Sequence, residues 1–172
     1  MISLVDVLLN VSRIEMGTLP VNLESTNLEE LCQSVLSELS LQIEKNKIYI
    51  ERQYNDFLKD VKSDPKLLRI VIQNLISNAV KYTRDNGTVT ITFDESLGQK
   101  KIIISDTGLG IPKEEQERVF TKLFRAKNVR DLKNGQGTGL GLYMVKSIIE
   151  SLGGSISFVS EENKGSIFTI IL

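Results

Sequence analysis

The sequence predicts an α/β two-layer sandwich, a mixed and mostly antiparallel sheet with helices on one face, preceded by a truncated helix. Three observations carry this. Strand-like alternation is interleaved along the chain with helical periodicity, the pattern of helices laid on a sheet. The helix from Asp64 to about Tyr82 has a wide apolar stripe, Leu67, Leu68, Val71, Ile72, Leu75, Ile76, Ala79 and Val80, which needs a core to cover it. A chain of 172 residues, 41% hydrophobic and 25% charged, suits one compact domain with a short appendage.

The elements follow in order. Met1 to Met16 reads as helix, because Leu4, Val5, Leu8, Leu9, Val11 and Ile14 recur at helical spacing and Gly17 supplies a stop. It opens without a cap, which suggests a truncation inside a longer helix. Pro20 to Leu23 is expected as a short strand. Asn27 with Glu30 forms a capping box for a helix from Leu28 to about Glu44. Lys47 to Tyr54 alternates as a strand. Ser63-Asp64 with Pro65 at the first helical position opens the long helix to Tyr82. Asn86-Gly87 is a turn, Thr88 to Phe93 a strand, Leu97 to Gln99 a turn and Lys101 to Asp106 a buried strand. The pattern then breaks for some thirty residues, rich in glycine and charge. Thr138 to Leu152 resumes as helix, ended by Gly153-Gly154, and strands Ser155 to Val159 and Ser166 to Leu172 close the chain around a polar turn at Glu161 to Gly165.

Composition removes several classes of chemistry. With no histidine, serine–histidine triads, histidine-ligated zinc and imidazole acid–base catalysis are excluded. The single cysteine, Cys32, rules out an internal disulfide and reads as a core residue. A net charge of −1 argues against a general nucleic-acid binder. No apolar run approaches a membrane span, so a soluble, cytoplasmic segment is expected, with anchoring of a longer parent in the cell membrane left open.

Three stretches carry chemistry. Asn74, Asn78, Lys81 and Tyr82 lie near one stripe over the last two turns of the long helix. Asparagine is a mediocre helix former, so the pair either caps neighbouring backbone or forms a metal-and-phosphate face, amide oxygens being hard ligands for magnesium. Asp106-Thr-Gly-Leu-Gly-Ile-Pro112 follows a buried strand. It is either a simple turn or a carboxylate placed where backbone approaches a ligand closely. Gly135-Gln-Gly-Thr-Gly-Leu-Gly-Leu142 has glycine at every second position and runs into a helix, so it can present N–H groups to a polyphosphate. It is not a P-loop, lacking the closing glycine-lysine-serine/threonine, and it is a poor dinucleotide fingerprint.

In combination these motifs resemble the catalytic and ATP-binding domain of sensor histidine kinases, within the wider family of gyrase, mismatch-repair and chaperone ATPases. Gln73 to Tyr82 is similar to that family's asparagine box, and Asp106 to Pro112 to its first glycine box. Val119 to Arg125 is similar to the phenylalanine box, and Gly137 to Leu142 to the second glycine box. The resemblance covers roughly residues 20 to 172 and implies a Bergerat-type ATP-binding fold. Its cofactors would be ATP and Mg2+, and its activity phosphoryl transfer to a protein histidine in two-component signal transduction. Asn78, with Asn74, would bind magnesium, and Lys81 and Tyr82 would line the nucleotide pocket. Asp106 would accept from the adenine amino group, with Gly108, Gly110 and Ile111 against the base. Gly137, Thr138, Gly139, Leu140, Gly141 and Leu142 would surround the phosphates. Arg125 and Asn74 would act in catalysis, Arg125 by neutralising the γ-phosphate.

Lys113 to Gly137 would be a mobile ATP lid bearing Lys113, Arg118, Lys122, Arg125, Lys127, Arg130 and Lys133, anchored by Phe120 and Phe124. Leu8 to Gly17 resembles the end of the second helix of the kinase dimerisation domain, which divides the chain into residues 1–17 and a catalytic domain of residues 18–172. The phosphoacceptor histidine would lie on a missing preceding helix, with a response regulator as the further partner. Alone, the chain would bind nucleotide, transfer little and stay mostly monomeric. Two departures stand out: Leu152 occupies a place where many members carry histidine, and no general base is evident beside Asn74, which argues against fast ATP hydrolysis. A stand-alone ATPase or serine kinase such as an anti-sigma factor, and a degenerate interaction module, are the alternative readings.

Overall fold

The computed structural model describes residues 9, 11–13, 15–54, 60–96, 98–130 and 137–172. Leu9, residues 11–13 and Glu15 are helical, and Gly17 at φ +64° turns the chain out of that run. The remainder of the predicted helix Met1 to Met16 lies outside the described residues.

The first strand differs from expectation. Residues 20–23 are not a strand; β1 is Glu24–Asn27, paired antiparallel with β3, Asp60–Ser63. The pairing is set by polar anchors forty residues downstream. Thr26 Oγ1 donates to the Ser63 carbonyl at 3.2 Å, and Asn22 N–H donates to Asp64 Oδ2 at 2.9 Å. Asn27 caps as read, Glu30 N–H donating to Asn27 Oδ1 at 3.0 Å to open α1, Leu28–Glu38, while the Glu30 carboxylate accepts from Asn27 Nδ2 at 3.3 Å. That helix does not run to Glu44. Leu39 leaves helical geometry at ψ 0° and its N–H is shared by two carbonyls of the preceding turn. The separate α2, Ser40–Lys45, follows, a break that keeps Leu39 buried. Lys47 takes a left-handed φ of 51°, so β2 begins two residues later than its alternation suggests, at Tyr49–Tyr54.

Asp64 caps α3, Pro65–Tyr82, accepting from Lys66 and Leu67 N–H. The remaining strands are β4, Thr88–Ser96, β5, Gln99–Asp106, β6, Ser155–Glu161, and β7, Gly165–Ile171. β4 and β5 are longer than their alternation implied, because the turn at Gly98 (φ +74°) is tight; Leu97 lies outside the described residues. The region after Asp106 is not wholly irregular. It holds a 3-10 helix, Lys113–Arg118, and a helical segment, α4, Lys127–Arg130. Residues 131–136, including Lys133 of the expected lid, lie outside the described residues. α5 is Gly141–Ser151; it starts after Thr138 because Gly139 sits at φ +69°.

The main sheet has the order β2-β4-β5-β7-β6, with β2 parallel to β4 and every other pair antiparallel. Its buried face carries Val89, Ile91, Phe93, Ile102, Ile104, Phe168 and Ile170. Against it lie Leu68, Ile72 and Ile76 of α3, Met144, Val145 and Ile148 of α5, and Cys32 and Val35 of α1. The expected two-layer architecture is therefore present. Cys32 is wholly buried, and burial pushes its thiol up to about 12.

Candidate functional site

One cavity of about 380 Å³ opens between the C-terminal half of α3, the loop after β5, residues 119–129 and the start of α5. That volume suits a small organic ligand. The sheet fixes its floor. Asp106 ends β5, paired with Val89 on one side and Ser166 on the other. The carboxylate is only 9% exposed. Burial raises its pKa from 3.8 to about 6, against the opposing pull of the Gly108 and Ser166 backbone N–H groups. Gly108 N–H donates to Oδ1 at 2.8 Å. Such an acceptor, short of water, suits a ligand N–H donor.

The loop after Asp106 is seated on the end of α3. Leu109 N–H donates to the Tyr82 carbonyl at 3.1 Å, and a Cβ on Gly108 would lie 2.4 Å from that oxygen. Gly110, at φ +60°, passes the β6–β7 turn so closely that a Cβ would meet the Glu161 carbonyl at 2.0 Å. The glycines in this stretch thus permit two backbone contacts that no other residue allows.

The α3 residues divide. Asn78, Lys81 and Tyr82 line the cavity. Asn74 does not; its Nδ2 donates to the Ile70 carbonyl at 2.8 Å, and a Cβ on Gly141 would fall 2.7 Å from its Oδ1. Asn74 is therefore packed against the first residue of α5. Lys81 has its pKa lowered, first by burial and then by the charge of Arg125, and its ammonium lies 5.1 Å from the Tyr82 ring centroid. Burial raises the Tyr82 hydroxyl. Among the described residues of the lining, Lys81, Arg125 and Asp106 carry charge, and Arg125 is near enough to Lys81 to disfavour its charged form.

The second glycine loop completes the wall. Ile111, Gly137, Thr138, Gly139, Gly141 and Leu142 line the cavity, and a Cβ on Gly137 would lie 3.4 Å from Lys81 Nζ. Leu140 is buried and precedes α5 as its cap residue, and Gly108 lies behind Asp106; neither is in the lining. Among the described residues no side chain caps α5, whose first residues lie beside the cavity.

Phe120 packs edge-on to Phe158 with centroids 5.7 Å apart and touches the core, whereas Phe124 lines the cavity. Three polar residues at the site carry no signal in the sequence. Ser166 supplies an N–H to Asp106. Glu115, 5% exposed, accepts from Lys127 N–H at 2.8 Å. Asn128 donates from Nδ2 to the Gly110 carbonyl at 2.9 Å, tying α4 to the loop after β5. Glu115 lies in the run KEEQER, which reads as solvated, and no spacing marks Asn128.

Comparison with known proteins bears directly on this cavity. The family model described as histidine kinase-, DNA gyrase B-, and HSP90-like ATPase matches residues 63–172. The adaptive-response sensory kinase SasA of Gloeothece citriformis is 39% identical over 146 residues, 84% of this chain and 36% of that protein. The chain spans 23% to 36% of the length of the curated relatives it matches. The catalytic domain of histidine kinase ThkA superposes with a TM-score of 0.74 at 31% identity, over 88% of this chain and 95% of that one. The Acinetobacter baumannii histidine kinase AdeS gives 0.81 at 27% identity, over 98% of this chain and 76% of that one.

Proposed function

Since the chain belongs to the family of histidine kinase-, DNA gyrase B- and HSP90-like ATPases, we propose that its cavity holds Mg2+–ATP and presents the γ-phosphoryl group to a histidine outside this sequence. The observation that carries the reading is the presence of one buried acceptor, Asp106, and two neighbouring cations, Lys81 and Arg125, in the lining of a single cavity. The adenine amino group would donate to Asp106, a contact guanine cannot make. Lys81, Arg125 and the uncapped start of α5 would meet the phosphates.

The donor set suits magnesium. Among the described residues no cluster of three acids, cysteines or histidines is present, so protein ligation would rest on the Asn78 amide oxygen, with phosphate oxygens and water completing the shell. Asn74 would support that side of the site from behind Gly141. Held there, the ion would supply positive charge that offsets the charge of the phosphates. Arg125 would balance charge as it develops on the γ-phosphoryl group, and residues 119–129 would exclude water.

With no histidine of its own, the chain must act on an acceptor elsewhere. Residues 1–17 are proposed as the end of the second helix of a dimerisation domain bearing that acceptor, and residues 18–172 as the catalytic domain. A response regulator would be the downstream partner. Among the described residues no helix is long and apolar enough to cross a membrane; a membrane anchor in a longer parent is compatible with this reading. The test is phosphotransfer in trans. The chain, γ-labelled ATP and a separately purified dimerisation domain should yield label that is acid-labile and base-stable; label on serine, or free phosphate alone, would defeat the reading.

A further inference from the structure

We propose that Asn128 is a positioning residue, a strut that transmits the placement of the loop after β5 to the guanidinium of Arg125. The proposal rests on the assignment of the phosphates to Lys81 and Arg125 made above.

The loop is a fixed platform. Leu109 N–H is held by the Tyr82 carbonyl at 3.1 Å, the Leu109 carbonyl accepts from Asn163 N–H at 2.7 Å, and Ile111 N–H donates to Ser160 Oγ at 2.9 Å. Gly110 has no room to shift toward the β6–β7 turn. The described part of α4, residues 127–130, is tied to its surroundings by side-chain hydrogen bonds. Its position is set by outside contacts: Lys127 N–H to Glu115 at 2.8 Å, and Asn128 Nδ2 to the carbonyls of Gly110 at 2.9 Å and Leu109 at 3.5 Å.

Asn128 Oδ1 is buried and accepts no hydrogen bond among the described residues, so the amide's hold lies in its donated bonds. One residue further, the Val129 carbonyl accepts from Arg125 Nη2 at 3.1 Å. The path from platform to guanidinium is therefore Gly110 carbonyl, Asn128 amide, Val129 carbonyl, Arg125. Each link is a hydrogen bond or a covalent neighbour. The loop that holds Asp106 against the ligand thereby also places the cation that meets its phosphates.

The test is calorimetric titration of the 172-residue chain with Mg2+–ATP and with AMP. Asn128→Asp keeps the shape and removes the donor; Asn128→Ala removes the donor without adding charge. Arg125→Ala and the Asn128→Ala/Arg125→Ala pair complete a cycle, with near-ultraviolet circular dichroism to verify folding. Both Asn128 variants should weaken ATP about tenfold and leave AMP within about twofold. The double variant should bind ATP no worse than Arg125→Ala alone, the non-additivity of two residues acting as one unit. Equal losses for ATP and AMP, or losses that multiply in the double variant, would overturn the proposal while leaving the ATP reading intact. A folded parent chain that binds neither nucleotide would overturn that reading, and this proposal with it.

Discussion

Replacing Asp106 with asparagine should move stability and nucleotide affinity in opposite directions. The carboxyl is raised from 3.8 to about 6 by burial. A shift of about 2 units corresponds to about 3 kcal/mol. Because the folded-state value is the higher one, the associated stability is present below pH 3.8 and is lost as pH rises through about 6. Asparagine stays neutral and does not lose it. Its amide can still accept from Gly108 but not from Ser166 as well, which costs about 1 kcal/mol. The net gain at pH 7 is about 2 kcal/mol, or about 4–8 °C in melting temperature for a chain of this length. The difference should shrink as pH falls and reverse to about 1 kcal/mol in favour of the parent below pH 3.8.

Binding should fall, since Oδ1 stays with Gly108 and the substituent facing the ligand becomes a donor. Loss of a charged acceptor costs about 1.5–3 kcal/mol, or about ten- to a hundredfold in Kd. Thermal melts from pH 4 to 7.5 and calorimetric titration with ATP measure both quantities. A variant that melts lower than its parent at pH 7, or that binds ATP within about twofold of it, would refute the reasoning.

Asn78→Ala should abolish the gain in ATP affinity that magnesium gives and leave binding in EDTA unchanged; a preserved magnesium effect would remove Asn78 as a ligand. Gly110→Ala places a methyl 2.0 Å from the Glu161 carbonyl at a left-handed φ, and should lower unfolding free energy in urea by about 2–4 kcal/mol. Cys32, buried and pushed up to about 12, should resist a thiol-specific disulfide reagent in the native protein and react once urea unfolds it; rapid native labelling would contradict its burial.

What could be read from the sequence was what depends on near neighbours. Asp64 and Pro65, or Asn27 and Glu30, act within one helical turn, so their spacing identifies the caps directly. The glycines of the two loops announce close approach, and the structure supplies what they approach: backbone for Gly108, Gly110 and Gly139, side chains for Gly137 and Gly141. β1 and β3 were unreadable because each has four residues and gains definition only from the other, nearly forty positions away. The break at Leu39 has no proline or glycine to mark it. Asn74 and Asn78 share a helical stripe in sequence, yet one faces the cavity and the other Gly141, a distinction made by where α5 lies. Glu115 and Asn128 escaped for the same reason, since their partners are backbone groups brought in by the fold.

The most direct test of the central claim is calorimetric titration of the unmodified chain with Mg2+–ATP and Mg2+–GTP. Saturable one-site binding of ATP, with GTP weaker by about tenfold or more, is the predicted result, since guanine offers Asp106 no amino donor at the matching position. A folded chain that binds neither nucleotide, or binds both equally, would contradict the account.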